Sequence, residues 1–231
     1  KAQSALVIAA IPTQRSGIKP IHDWDNIGQR QTDSGSVVFE KVRVEEEEIL
    51  ADPGPLSTPF ACLRPLIAQI SLVFIYLGIA EGAIEEARHY TRHEARPWFR
   101  AGVEHIEQDP YIIERYGEFW IGLEAARSVA ERAAQQLDHA WARGIALSAT
   151  ERGELAVMIA AAKALSSRSG LDICTRMFEV AGARATHAGL ALDRYWRNLR
   201  THSLHDPLDY KVRELGEWAL SGRYPTPTFY S

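Results

Sequence analysis

Between Tyr195 and Pro207 the chain reads YWRNLRTHSLHDP, its densest run of aromatic and titratable residues. Arg197, Arg200, His202, His205 and Asp206 follow one another within a few turns of backbone. A histidine exchanges protons near neutral pH, and an adjacent carboxylate or a helix end tunes it. His205 beside Asp206, with His202 three residues earlier, is therefore a candidate acid–base pair. A plainer reading stands beside it: the arginines pair with carboxylates elsewhere in the fold, and Asp206 caps the helix that follows. The i, i+3 spacing of His202 and His205 and the i, i+4 spacing of His89 and His93 also suit a metal. Neither pair has a third ligand in an HExxH-like frame, and Cys62 and Cys174 lie far from both. No metal site is expected, and His89 and His93 read as exposed helix residues.

Two arginines stand in other chemical settings. Arg96 precedes Pro97, Trp98 and Phe99. A guanidinium grips phosphate in a fork and aromatics stack on flat rings, so this group suits a nucleotide or flavin, or else Arg96 stacks on Trp98 alone. Arg184 follows Gly182 in Ala181-Gly182-Ala183-Arg184. A glycine there admits close approach of a ligand to the backbone, but serves equally as a helix C-cap. Trp141 reads as a core residue. A Gly-rich phosphate loop, a GxSxG elbow and a CxxC pair are all missing, so NTPases, serine hydrolases and thioredoxin-like proteins gain no support.

The elements that must position these residues fall into two regions. Residues 1–50 are rich in β-branched residues and turn formers. SALVIAAIP reads as a strand, IGQRQTDSGSVVFEKVRV as two strands around the Asp33-Ser34-Gly35 turn, and Glu45–Glu48 as a solvated connection. That is too little to close a sheet, since about three strands with one buried face are the minimum. Missing strands are expected upstream of Lys1 or from a partner. ADPGPLSTPF, residues 51–60, reads as a linker, and from residue 61 the apolar period becomes helical. A first helix through Ile70, Phe74, Leu77 and Ile84 ends before Pro97. A second runs from an Asp109 cap with Pro110 at its first position to Gly144. A third starts in the Ser148/Glu151 capping box and runs to about Val180. A fourth covers roughly Asp206–Leu220, stopped by Ser221-Gly222. The expected fold is mainly α: an antiparallel four-helix bundle, residues 61–231, preceded by an incomplete β segment.

Composition sets outer limits. The 231 residues are 46% hydrophobic and 24% charged with a net charge of −4, which offers nothing to a nucleic-acid partner. The apolar run Pro65–Ala80 is shorter than the roughly 20 residues of a membrane span and carries Gln69, Ser71 and Tyr76, so a core helix and no membrane partner are expected. Cys62 and Cys174 read as buried free thiols of a reducing, cytoplasmic setting. No leader is visible at Lys1, and the start within a strand-like pattern reads as part of something longer.

Taken in order, the segments WDNIGQRQTDSGSVVFEKVRV, YTRHEARPWF, DPYIIERYGEF, FEVAGARATH and DRYWRNLRTHSLHDPLDYKVRELGEWALSGRYPTPTFYS resemble the dibenzothiophene monooxygenase group of flavin monooxygenases, which shares the acyl-CoA dehydrogenase fold. The resemblance covers nearly the whole chain. It implies that residues 1–50 are the end of a middle β domain and residues 61–231 the C-terminal bundle with its tail. It implies a homotetramer and a separate flavin reductase that supplies reduced FMN, which oxygenates a small organosulfur or aromatic substrate by way of a flavin C4a-(hydro)peroxide. By the same resemblance His205 handles the oxygen adduct with support from His202. Arg96 and Arg184 grip the FMN phosphate from two subunits, with Gly182 in the same turn, and Trp141 and Trp24 lie near the flavin or substrate.

The sequence departs from a true acyl-CoA dehydrogenase at two places. The late segment that offers a carboxylate base in dehydrogenases, Tyr-Glu-Gly-Thr-like, is here RTHSLHD. The Gln-x-x-Gly-Gly-x-Gly turn that holds the FAD adenosine is here Glu179-Val180-Ala181-Gly182-Ala183-Arg184-Ala185. Both changes favour FMN. An FAD-dependent acyl-CoA dehydrogenase and a helical oligomerisation module are the alternatives.

Overall fold

The computed structural model describes residues 6–231. Three long helices carry the architecture: α1 (Leu63–His93), α2 (Pro110–Arg143) and α3 (Ala149–Ala181). Two shorter ones, α4 (Asp193–Ser203) and α5 (Leu208–Ser221), complete it. The local signals act as read. Asp109 accepts a hydrogen bond from the Tyr111 amide at 2.9 Å with Pro110 at the first helical position, and Ser148 and Glu151 form a reciprocal capping box. Gly222, at φ 72°, ends α5.

α3 is the central helix, and α1, α2, α4 and α5 all pack against it. The core is built from Leu63, Leu66, Val73, Tyr76 and Ala80 of α1, Phe119 and Leu123 of α2, and Leu155, Ile159, Ile173 and Met177 of α3. Small residues on the α2 seam, Ala126, Ala130 and Ala133, let it close on α3. Arg115 joins Glu179 across that seam at 2.7 Å, and Arg176 joins Glu118. The apolar run read as shorter than a span belongs to a 31-residue helix, α1, which is long and apolar enough to cross a membrane by length and composition only, a test that a core helix also passes. One face of it is nevertheless committed to the core. Cys62 and Cys174 are buried and free, as expected, and burial pushes the Cys174 thiol up to about 12.

Two expectations require correction. The bundle's fourth position is filled by two helices rather than one. The segment expected to lead into a helix is itself α4, because Leu192, Tyr195, Trp196, Leu199 and Ser203 recur at helical spacing toward the core. The β segment also pairs differently. Strand β1 (Ile18–Pro20) runs antiparallel to β2 (Val37–Phe39), so the second strand exists while residues 27–32 form a loop instead of its hairpin partner. Gly28 and Gln29 explain this, since their backbone is tied to α4 rather than to a neighbouring strand. The strand expected over SALVIAAIP reduces to one bridge, Ala9 to Ile49, and its Ser4 and Ala5 lie outside the described residues. Val37, Val38 and Phe39 of this two-stranded sheet are all exposed. The acidic run is a single tight turn, and its Glu48 is largely buried against Arg15, with one Oε2 contact of 2.6 Å.

Candidate functional site

Residues from the β1–β2 loop and α4 meet across a cleft of about 770 Å³. Trp24, Ile27 and Gln29 form one wall, Ile75 of α1 the floor, and Arg200, Thr201, His202, Leu204 and His205 the other wall. The loop is pinned at its base, where Asp23 accepts from the Ser36 amide and hydroxyl, both at 2.7 Å. Its tip is held on α4. The Gln29 amide donates to Asn198 Oδ1 at 2.8 Å, Arg197 donates to the Ile27 carbonyl at 2.8 Å, and Trp24 Nε1 donates to the Gln29 carbonyl at 2.9 Å. Gly28 sits where a Cβ would lie 2.0 Å from the Arg197 carbonyl oxygen, so only glycine permits this seat.

The two histidines differ. His202 lies against the α1 wall, its ring edge-on to Tyr76 at 5.6 Å, and its carbonyl accepts from the Tyr76 hydroxyl at 3.0 Å. Its Nδ1 is buried without a hydrogen-bond partner among the described residues. Burial first, and then the nearby His205 and Lys163, hold its imidazole below the ordinary value of 6.5, so it is neutral at pH 7. His205 is about half exposed at the cleft edge, with Nδ1 3.4 Å from Asp206 Oδ1. Asp206 does not cap α5, whose N-cap is Pro207. Its carboxylate is buried in an ion pair with Lys163.

A second, smaller cleft of about 230 Å³ lies where α1 and α3 end, lined by Tyr90, Glu94, Arg96, Gly182 and Arg184. Gly182, at φ 77° and ψ 177°, turns the chain out of α3 into a tight turn over Ala183–Thr186. Arg88 and Arg92 pair with Glu85 and Glu107, but Arg96 and Arg184 are exposed and have no ion pair among the described residues. One chain thus brings together both arginines that the resemblance assigns to two subunits. Trp98 and Phe99 pack on each other at 4.6 Å and are exposed, and the cation over Phe99 is Arg100, at 5.7 Å.

The two clefts are separate. Ile75 lines one and Tyr90 the other, roughly 20 Å apart along α1 at about 1.5 Å per residue. Trp141 lines neither. It is 56% exposed near the end of α2 and leans on Phe60 at 5.1 Å, so it is not the core residue its type implied. His89 and His93 stack at 4.6 Å on the exposed face of α1, and among the described residues no cluster of three His, Cys, Asp or Glu could hold a metal. Sequence reasoning missed Gly28, Asn198 and Lys163. Gly28 falls in a segment that reads as a strand and Asn198 in one that reads as leading into a helix, while Lys163 lies in an apolar helix with nothing to mark its partner.

The family profile "Acyl-CoA dehydrogenase, C-terminal domain" matches residues 70–210. The chain belongs to the acyl-CoA dehydrogenase family. It is 63% identical over its whole length to a probable FMNH2-dependent monooxygenase, SfnC, of Pseudomonas putida, of which it spans 58%. Its fold superposes on methanesulfinate monooxygenase MsuC of Pseudomonas fluorescens with a TM-score of 0.95 at 64% identity, covering 97% of this chain and 58% of that one. TdsC, a dibenzothiophene monooxygenase of Paenibacillus sp. A11-2 solved with FMN and indole, superposes with a TM-score of 0.91 at 42% identity, covering 97% of this chain and 57% of that one. The chain therefore spans a little over half the length of the relatives it matches.

Proposed function

We propose that this chain belongs to a two-component monooxygenase that takes reduced FMN from a separate flavin reductase and oxidises a small organosulfur or aromatic molecule. The relatives named above support the reaction class, and the carrying observation is the pair of half-sites. One offers two unpaired guanidiniums beside an open glycine turn. The other offers two imidazoles on a largely apolar cleft. They are separate clefts, roughly 20 Å apart along α1, which supports a site assembled from two subunits of a homo-oligomer, a tetramer in the reading from resemblance. Residues 1–50 then belong to a middle β domain, 51–60 to a linker and 61–231 to the helical domain. The buried free thiols fit a cytoplasmic setting.

The residues present fit the cofactor. Arg96 and Arg184 of one subunit bind the phosphate, and Gly182 leaves room for it because nothing lies within 4 Å of where its Cβ would be. Reduced FMN, when bound, supplies the electrons that activate dioxygen. His205 of the other subunit holds or moves a proton at Nε2. His202, neutral and desolvated, supplies an unpaired nitrogen without a charge. Trp24 and Ile27 wall the cleft from water, and exposed Trp141 reaches a flavin only from a neighbouring subunit. A dehydrogenase with FAD needs a free carboxylate base, and Asp206, the carboxylate beside His205, is committed to Lys163.

Anaerobic titration with reduced FMN and reduced FAD, followed by turnover of an organosulfide with oxygen, tests this reading. Tighter binding of FMN and a loss of turnover of about 10²-fold or more in His205→Ala are expected. Preference for FAD, or wild-type turnover in His205→Ala, overturns it.

A further inference from the structure

Behind His205, and outside both clefts, lies a buried group that the proposed chemistry does not use. Lys163 of α3 is 2% exposed at its side chain, and Asp206, in the turn between α4 and α5, is 8% exposed. Lys163 Nζ donates to Asp206 Oδ1 and to the side-chain carbonyl of buried Gln69 on α1. The second oxygen, Asp206 Oδ2, is buried and has no partner among the described residues. Taking two charges out of water is weak support for stability, because apolar residues of similar volume do as well or better. Such a pair one residue from a cleft histidine calls for another explanation.

The contact with His205 supplies it. Asp206 Oδ1 accepts the Lys163 ammonium and so turns toward His205 as an acceptor, since a carboxylate paired with a cation offers lone pairs rather than a hydrogen. His205 Nδ1 lies 3.4 Å from the same Oδ1, a long contact of the kind that shortens when a site is loaded. The nitrogen facing a carboxylate must carry the hydrogen, which leaves Nε2 as the exchangeable position. The ring has a second fixed neighbour, Tyr230, whose centroid is 6.3 Å away and whose carbonyl accepts from the buried Lys211. Burial works against the Lys163 charge while Asp206 supports it, so the buried ammonium depends on its carboxylate partner.

We infer that Asp206, held in place by Lys163, is a positioning residue that fixes His205 in the Nδ1–H tautomer and presents Nε2 to the cleft. The catalytic purpose of that tautomer rests on the monooxygenase reading, but the tautomer itself does not. Removing Asp206 alone would strand a buried cation and invite unfolding, so the informative variant is the apolar double replacement Lys163→Met/Asp206→Leu.

The experiment uses the protein labelled with 15N-histidine, with the His205 signals assigned from His205→Asn, and long-range 1H–15N correlations read above the titration range. The wild type should show His205 protonated at Nδ1, and the folded double variant should show the Nε2–H form that free imidazole side chains favour in water. An Nε2–H form in the wild type, or an unchanged Nδ1–H form in the double variant, overturns the inference. With reduced FMN and substrate, the double variant should lose about 10²-fold in turnover while substrate KM and FMN affinity stay unchanged. Wild-type turnover in a double variant whose tautomer has switched would also overturn the catalytic role. Full turnover in His205→Ala instead sinks the monooxygenase reading and leaves the positioning result standing.

Discussion

Gly28→Ala probes the seat of the β1–β2 loop on α4. The added Cβ would meet the Arg197 carbonyl oxygen at 2.0 Å, the Arg197 carbonyl carbon at 2.3 Å and Thr201 Oγ1 at 2.7 Å. Two of these are helix backbone and cannot yield, so the loop must move. Ordinary contact begins at 3.4 Å, which sets the retreat at about 1.4 Å. Such a shift stretches the 2.8 Å bonds from Gln29 to Asn198 and from Arg197 to Ile27 beyond hydrogen-bond range. Overpacking of this kind costs about 1–3 kcal/mol. The helical core does not depend on the loop, so the far-ultraviolet spectrum should be unchanged while denaturant unfolding shows that loss. Turnover should suffer more than stability, since a misplacement of about 1 Å can cost about 10²-fold. Trp24 reports the movement directly, because its indole is hydrogen-bonded to Gln29 and its emission should shift to the red. A variant with wild-type emission, stability and turnover would show that the loop does not shape the site.

Other outcomes follow from single features. Arg184→Ala should weaken reduced-FMN binding by about 1–3 kcal/mol, measured by anaerobic titration, without changing the unfolding midpoint. His202 is held below its ordinary value of 6.5 by burial, so its contribution to stability is fully present above about pH 6.5 and is lost as pH falls through the lower folded-state value. Urea midpoints at about pH 7.5 and about pH 5.5 should therefore diverge, and His202→Gln should reduce the difference. Asp109→Ala removes the α2 cap and should cost about 1 kcal/mol in denaturant unfolding.

The long helices were legible because their ends carry capping chemistry and their apolar period is sustained. Asp109-Pro110, Ser148 with Glu151, and Gly222 each act locally, so no tertiary knowledge was needed to place them. α4 was hidden by its own composition. Its arginines and histidines point to chemistry, while its core-facing stripe of Leu192, Tyr195, Leu199 and Ser203 is narrow and Tyr195 is only partly buried. The β segment failed for a different reason. Its alternation is genuine, but a strand forms only where a partner strand lies alongside, and residues 27–32 find α4 instead. His202 and His205 were legible as a pair from their spacing, whereas Trp24 and the link of Arg96 to Gly182 and Arg184 came only from the resemblance, which set the two arginines on different subunits. The pairing of Lys163 with Asp206 depends on how α3 crosses the end of α4, which nothing in the spacing of either residue reveals.

Subunit complementation tests the claim that the half-sites meet between chains. Arg184→Ala and His205→Ala subunits are prepared separately, dissociated, mixed and reassembled, and oxygenation is measured at limiting reduced FMN. A shared site regenerates some intact centres, combining the arginine of one subunit with the imidazole of the other, so the mixture should exceed the mean of the two parents. Activity no higher than that mean, in a mixture shown to contain hybrid oligomers, would contradict the shared site.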